Sequence, residues 1–312
     1  MEGGMNELKE LEGIYYRQGY RIVGSHRHSA VKICEWTKEA LRSRRYCFKQ
    51  KWYGIQSHRC LQCTTALYWC LNRCLYCWRS FKGMKVLPGD DVKWDEPEIL
   101  LDEMVEAQRS LLIGFRGNPR VDRSMLEEAF NPTNVAISLI GESLLYPYLS
   151  DFIELTKHRN MTSFLVTKGT TPDELQRLSS HPTNLYISLC SPDEDTFRKL
   201  ETPLVPDGWS RVLRSLELFS TFVNSRRVIR ITLVKGWNMD NIDGYAKLIE
   251  KANPDFIEPK AYMWVGESTR RLARDAMPTL EDVIGFADKL ARATGYRFVD
   301  IFEPSRVALL GR

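Results

Sequence analysis

Seven of the eight cysteines in this chain of 312 residues lie between Cys34 and Cys77, and the eighth, Cys190, stands alone. Within the group, Cys70, Cys74 and Cys77 are spaced three residues and then two residues apart, in CLNRCLYC. Two chemistries compete for such spacing. A structural zinc site wants four ligands, usually as paired C-x2-C units. Three clustered cysteines instead suit three irons of a [4Fe–4S] cluster, whose fourth iron stays open to a substrate. Upstream, Cys34, Cys47 and Cys60 are separated by twelve residues each, and nine more lead to Cys70. Cys63 rivals Cys60 through Cys60-x2-Cys63; Cys63 and Cys190 otherwise read as ordinary buried thiols. Lys49 follows Cys47 by two residues, with Lys51 as its neighbour on the same stretch. A lysine desolvated beside a cationic or metal site can form an imine with a ketone, although on spacing alone a phosphate-binding lysine fits better.

The elements that position these residues can be read from pattern. Short β-rich runs occur at Asn134–Leu139, Ser163–Thr167, Asn184–Leu189, Val228–Val234 and Asp255–Pro259, and a further strand candidate, Thr64–Trp69, precedes Cys70. Between them, Leu144–Lys157, Thr171–Ser180, Gly208–Thr221 and Met239–Ala252 carry helical spacing. Thr171 with Pro172 and Glu174, and Ser191 with Pro192 and Glu194, read as helix entries. Strands alternating with helices predict parallel strands joined by right-handed crossovers. Six such units fit an open or closed βα barrel, whose active site gathers at the C-terminal ends of its strands.

Composition narrows the class. At 43% hydrophobic and 27% charged residues the chain is globular in kind. No apolar run approaches the roughly 18 residues of a membrane span. The N-terminus, MEGGMNELKELEG, is acidic and lacks the apolar stretch of a secretory signal. A cytoplasmic, reducing setting follows, in which clustered cysteines bind metal or catalyse rather than pair. The net charge is only +4, but residues 15–60 hold eleven Lys/Arg against Glu35 and Glu39. Such a segment fits a polyanion or a merely solvated face about equally, with Arg42, Arg44 and Arg45 as the phosphate candidates. His26, His28 and His58 lie among these arginines and read as phosphate contacts or structural groups.

Three features now carry a resemblance. The Cys70, Cys74, Cys77 loop, with the aromatic Tyr76 before its last cysteine, resembles that of the radical-SAM superfamily. The upstream cysteines and the segments HSAVKIC, CFKQKWYGI, SHRC, CLYCWR, ITLVKGWN and PDFIEPKAY resemble the tRNA 4-demethylwyosine synthases of wybutosine biosynthesis, of the archaeal type that has no flavodoxin domain. The resemblance implies a radical-SAM partial (βα)6 barrel of α/β class with an N-terminal cysteine-rich extension. It divides the chain into residues 1–63, a 64–265 core and a 266–312 extension. It implies two [4Fe–4S] clusters, one on Cys70, Cys74 and Cys77 and one on Cys34, Cys47 and Cys60, with SAM at the first. It places Tyr76, Gly141, Glu142, Thr167, Ser188 and Asn238 beside SAM, and a pyruvate imine on Lys49. The implied partners are pyruvate and tRNA(Phe) carrying N1-methylguanosine beside the anticodon. Arg42, Arg44 and Arg45 would meet its phosphates, and Trp52, Tyr53 or Trp78 would stack on its base. A carbon–carbon lyase acting as a monomer with an external electron donor is the expected protein. Another radical-SAM tRNA modifier, or a non-enzymatic RNA-binding module, is the alternative.

Overall fold

The computed structural model describes residues 2–312, with side chains described from residue 9 onward. Two compact units share the chain without following its order: the first holds residues 1–69, 82–165 and 178–183, the second residues 70–81, 166–177 and 184–312.

In the first unit, β1 (Tyr20–Val23) pairs antiparallel with β2 (Ser29–Lys32), and β2 antiparallel with β3 (Cys60–Thr64). From there the pairing turns parallel, through β4 (Asn134–Ile137) to β5 (Thr162–Thr167). Leu61, Cys63, Val135, Ile137 and Leu165 are fully buried on these strands. Their side chains alternate across the pleat, so Cys60 and Cys63, three apart on β3, face opposite sides of it.

In the second unit, β6 (Asn184–Ser188), β7 (Arg226–Leu233) and β8 (Phe256–Ala261) run parallel. Then β10 (Val307–Gly311) pairs antiparallel with β8 and with β9 (Arg297–Phe302). The helices Gly208–Phe219 and Ile242–Ala252 provide the crossovers between these parallel strands.

Several boundaries differ from the pattern reading, each for a local reason. Thr64–Trp69 is a buried loop rather than a strand, because β3 already ends at Thr64. The helix expected from Leu144 begins at Leu149, after a 3-10 turn at Ser143–Leu145 and Pro147. Thr171–Ser180 contracts to the helix Pro172–Gln176. The helix expected from Met239 starts at Ile242, where the Asn241 side chain accepts from the Gly244 N–H at 2.9 Å. Ser191 does not cap the next helix: Asp193 does, accepting from the Thr196 N–H, while Ser191 Oγ donates to Glu201 at 2.6 Å.

Candidate functional site

The first unit gathers Cys34, Cys47 and Cys60. Cys34 stands at the N-cap of the helix Glu35–Ser43, Cys47 at the N-cap of the helix Phe48–Tyr53, and Cys60 opens β3. Ser57 ties these starts together. Its hydroxyl accepts from the Cys47 N–H at 2.9 Å, its carbonyl accepts from Thr37 Oγ1 at 2.9 Å, and its N–H donates to Gln50 at 2.9 Å. Burial pushes the Cys34 and Cys60 thiols up; Cys60 is raised further by Cys34, Cys47 and Cys63 as like charges, and Lys49 pulls both thiols back down. Cys63 is raised by burial alone, on the opposite face of β3.

Lys49 therefore lies within electrostatic reach of Cys34 and Cys60, and its Nζ sits 4.1 Å from the centre of the Phe164 ring on β5. Lys51, on the same helix, is exposed. Trp52 packs at 5.0 Å on Phe48, and Tyr53 at 6.5 Å on Phe164.

Each of the three candidate arginines has a neighbour within this unit. Arg44 pairs with Asp122 at 2.6 Å, Arg45 pairs with Glu39, and the Arg42 guanidinium lies 5.6 Å over the Phe115 ring. His28 is buried, with its Nδ1 2.9 Å from the Thr65 carbonyl, and its Nε2 accepts from the Asp95 N–H at 3.0 Å. His26 pairs with Asp95 and His58 with Glu128. The three histidines are structural groups, and His28 holds the loop that leads towards Cys70.

That loop is closed from its other side by Ile140–Ser143. Gly141 has φ +75° and presses on the Ala66 and Trp69 carbonyls so closely that a Cβ would collide with Ala66 O. The Glu142 N–H donates to Trp69 O at 2.8 Å, and Thr64 Oγ1 donates to Ile140 O at 2.5 Å. The Glu142 carboxylate is buried and accepts from the Leu144 N–H at 3.5 Å.

The second unit carries Cys70, Cys74 and Cys77 on residues 70–81, which form no helix or strand. The segment is laced to residues 200–204: Arg73 N–H to Thr202 O at 3.0 Å, Leu75 N–H to Leu200 O at 2.9 Å, and Leu204 N–H to Leu71 O at 2.8 Å. Burial pushes the Cys74 thiol up to about 12, with Cys77 and Cys70 adding to it and Lys168 opposing. Behind the segment lies a buried ionic network. Lys168 pairs with Glu201 and donates to the Tyr76 hydroxyl at 3.0 Å and to Ser188 O at 2.7 Å. Although burial opposes it, Lys168 and hydrogen bonds to Tyr76 and Thr232 hold the Cys190 thiol below its ordinary range. Cys190 is thus not a bland thiol.

Of the strand-end candidates, Ser188 meets Lys168 through its carbonyl, and Thr167 Oγ1 accepts from the Gly169 N–H at 3.0 Å. The Asn238 amide bridges Cys190 O at 2.7 Å, Thr232 O at 2.8 Å and the Val234 N–H at 2.7 Å. Lys168, Glu201 and Arg271 escaped the sequence reading. Only Lys168 offered a signal, as a charged residue directly after a strand.

Among the described residues no three His, Cys, Asp or Glu side chains converge tightly enough for a single metal ion. An iron–sulfur cubane asks for something different, one cysteine for each of several irons. Both triads fit that demand in their chemistry. The partly buried Cys60 and Cys74 thiols, each raised by the other cysteines of its triad and opposed by one lysine, would become favourable as thiolates if iron supplied positive charge.

Residues 65–249 match the family model described as Radical SAM superfamily, and residues 251–312 match the one described as Wyosine base formation. The S-adenosyl-L-methionine-dependent tRNA 4-demethylwyosine synthase of Pyrococcus horikoshii is 47% identical, over 100% of this chain and 91% of that protein. The solved structure of TYW1 with a lysine-pyruvate adduct bound superposes with a TM-score of 0.86 at 35% identity, covering 97% of this chain and 95% of that one. The crystal structure of archaeal TYW1 gives a TM-score of 0.78 at 33% identity, with the same coverage of 97% and 95%.

Proposed function

The chain belongs to the S-adenosyl-L-methionine-dependent tRNA 4-demethylwyosine synthases, and we propose from that premise that Lys49 captures pyruvate as its keto-acid substrate. The protein is a radical-SAM enzyme of tRNA modification, and its fold is the α/β partial barrel of that superfamily. Cys70, Cys74 and Cys77 would hold the SAM-site cluster, and Cys34, Cys47 and Cys60 a second one. When bound, these groups and SAM supply one-electron chemistry that side chains lack.

The observation that carries the reading is the setting of Lys49. Its amine lies against Phe164 and beside two thiols of the first triad, while Lys51 faces solvent. As the neutral amine it attacks C2 of pyruvate, water leaves, and the imine holds the ketone carbon in place for bond formation. The second substrate is N1-methylguanosine beside the anticodon of tRNA(Phe). Ring closure with loss of the pyruvate carboxyl carbon gives 4-demethylwyosine and makes the enzyme a carbon–carbon lyase. By the superfamily resemblance we assign Tyr76, Gly141, Glu142, Thr167, Ser188 and Asn238 to SAM binding. Arg42, Arg44 and Arg45 meet tRNA phosphates. We take residues 1–63 as a basic extension carrying the second-cluster cysteines, 64–265 as the radical-SAM core and 266–312 as a C-terminal α/β extension packed on it. A separate electron donor, a monomeric state and a cytoplasmic setting complete the reading.

Anaerobic borohydride trapping tests it. With pyruvate present, a carboxyethyl group should be fixed on the peptide containing Lys49. Lys49→Ala should still cleave SAM yet make no tricyclic base, and Lys49→Arg should fail likewise, because a guanidinium stays protonated. Trapping on Lys51, or near-wild-type product from either variant, would overturn the assignment.

A further inference from the structure

The cysteine segment of the second unit is gripped by a strap that lies beyond the radical-SAM match. The strap, Tyr262–Leu272, follows β8 and lies outside the radical-SAM match at 65–249 but inside the wyosine match at 251–312. Its own geometry is braced: Tyr262 OH donates to Ser268 Oγ at 2.9 Å, Ser268 Oγ to Val265 O at 2.6 Å, and Trp264 Nε1 to Leu272 O at 2.9 Å. Gly266, at φ +59°, lets the strap come down on Trp78 where a side chain would strike its carbonyl, and the Glu267 N–H donates to that carbonyl at 3.1 Å.

At the far end of the strap, Arg271 reaches back 196 residues to Leu75. Its Nε donates to Leu75 O at 3.2 Å, and its Nη2 donates to Cys77 O and, at 3.3 Å, to Arg79 O. The guanidinium also lies 4.2 Å over the Phe81 ring. Carbonyls of residues 75, 77 and 79 thus converge on one cation, in a segment with no ladder to direct them. Three carbonyl dipoles pointing at one place repel unless a donor sits between them. A guanidinium, with donors fixed in a planar fork, can serve all three, whereas an ammonium is a single point charge.

We propose that Arg271 is a positioning residue for the SAM site: by fixing the carbonyls on either side of Tyr76 it sets the backbone against which SAM binds. The three cysteines tether the segment to iron, and Arg271 determines the path of the chain between and beyond them. Groups that orient ligands from behind typically change affinity or activity 10–100-fold when removed. The proposal rests on the assignment of Cys70, Cys74 and Cys77 to the SAM-site cluster, so its test carries a separate check on that assignment.

The experiment uses the full chain, reconstituted anaerobically with iron and sulfide. It compares wild type, Arg271→Ala, Arg271→Gln, Arg271→Lys, Arg270→Ala and Cys74→Ala for iron content, SAM cleavage kinetics and the electron paramagnetic resonance change on adding SAM. For Arg271→Ala, KM for SAM should rise about tenfold while kcat changes less. The SAM-induced spectral change should then need correspondingly more SAM. Arg271→Lys should recover part of the loss and Arg271→Gln less. Arg270, exposed and paired with Glu267 on the same strap, should be replaceable without effect. If the Arg271 variants lose thermal stability with KM and spectrum unmoved, or all fail to fold, Arg271 serves folding alone and the proposal is overturned. If Cys74→Ala still cleaves SAM, the cluster assignment itself is wrong.

Discussion

Cys34, Cys47 and Cys60 each stand where a regular element begins, whereas Cys70, Cys74 and Cys77 lie on a segment with no helix or strand of its own. The first triad inherits its geometry from two helix starts and a strand start, cross-linked by the single hydroxyl, carbonyl and N–H of Ser57. The second is held by outside help: backbone bonds to residues 200–204, the Lys168–Glu201 pair and the Arg271 fork. Regular elements deliver fixed donors cheaply in sequence. An irregular segment leaves its own N–H and C=O groups unpaired, so each needs a partner from elsewhere. The gain is backbone that is free to follow a path no helix or strand allows.

The sharpest way to break this comparison is to remove each triad in turn. Replacing Cys70, Cys74 and Cys77 with Ala should abolish SAM cleavage altogether. Replacing Cys34, Cys47 and Cys60 should abolish product while some uncoupled SAM cleavage persists. Iron should fall from about eight per chain to about four in either case, if both sites are cubanes. Wild-type iron near four would reduce the comparison to one cluster site and one thiol cluster.

A smaller effect tests the claim that the second triad depends on outside help. Glu201→Gln should remove the carboxylate partner of the partly buried Lys168 and cost about 3 kcal/mol. Urea unfolding measures this, and a loss under about 1 kcal/mol would show that the network does not brace the segment. Smallest in stability, yet informative about partners, is charge reversal at Arg42, Arg44 and Arg45. The fold should hold at Arg44 and Arg45, whose pairs with Asp122 and Glu39 are surface pairs, and lose some stability at Arg42, which packs over Phe115. The tRNA affinity should fall, and its dependence on salt should flatten by about 0.9 in log–log slope for each phosphate that the variant no longer neutralises. An unchanged slope would mean that these arginines serve only their acidic neighbours.

The legible parts of the molecule are those written locally in the chain. Cysteine spacing is a property of neighbours, so Cys70, Cys74 and Cys77 stand out by spacing, whereas Cys34, Cys47 and Cys60 stand out only through the resemblance. Buried parallel strands such as Asn134–Ile137 read as continuous apolar runs. Thr64–Trp69 misled because a buried loop and a buried strand have the same apolar composition; only the approach of Gly141 and the His28 bond to Thr65 O show which it is. Cys60 could not be separated from Cys63 by spacing chemistry, yet one strand places them on opposite faces. Lys168–Glu201 and Arg271–Cys77 join residues 33 and 194 positions apart. No periodicity encodes such meetings.

The partners of the two triads also differ in when they are synthesised. All three donors of the first triad, and the Ser57 bonds that align them, lie between residues 34 and 60. The second triad follows within twenty residues, but the fork that fixes it arrives only with Arg271. At roughly 5–20 residues per second, a ribosome needs about 10–40 seconds to make the intervening chain. Through that interval Cys70, Cys74 and Cys77 are translated but unclasped. The segment carrying Cys70, Cys74 and Cys77 therefore gains the Arg271 donors only near the end of synthesis, whereas the Ser57 bonds beside Cys34, Cys47 and Cys60 join residues already made by residue 60.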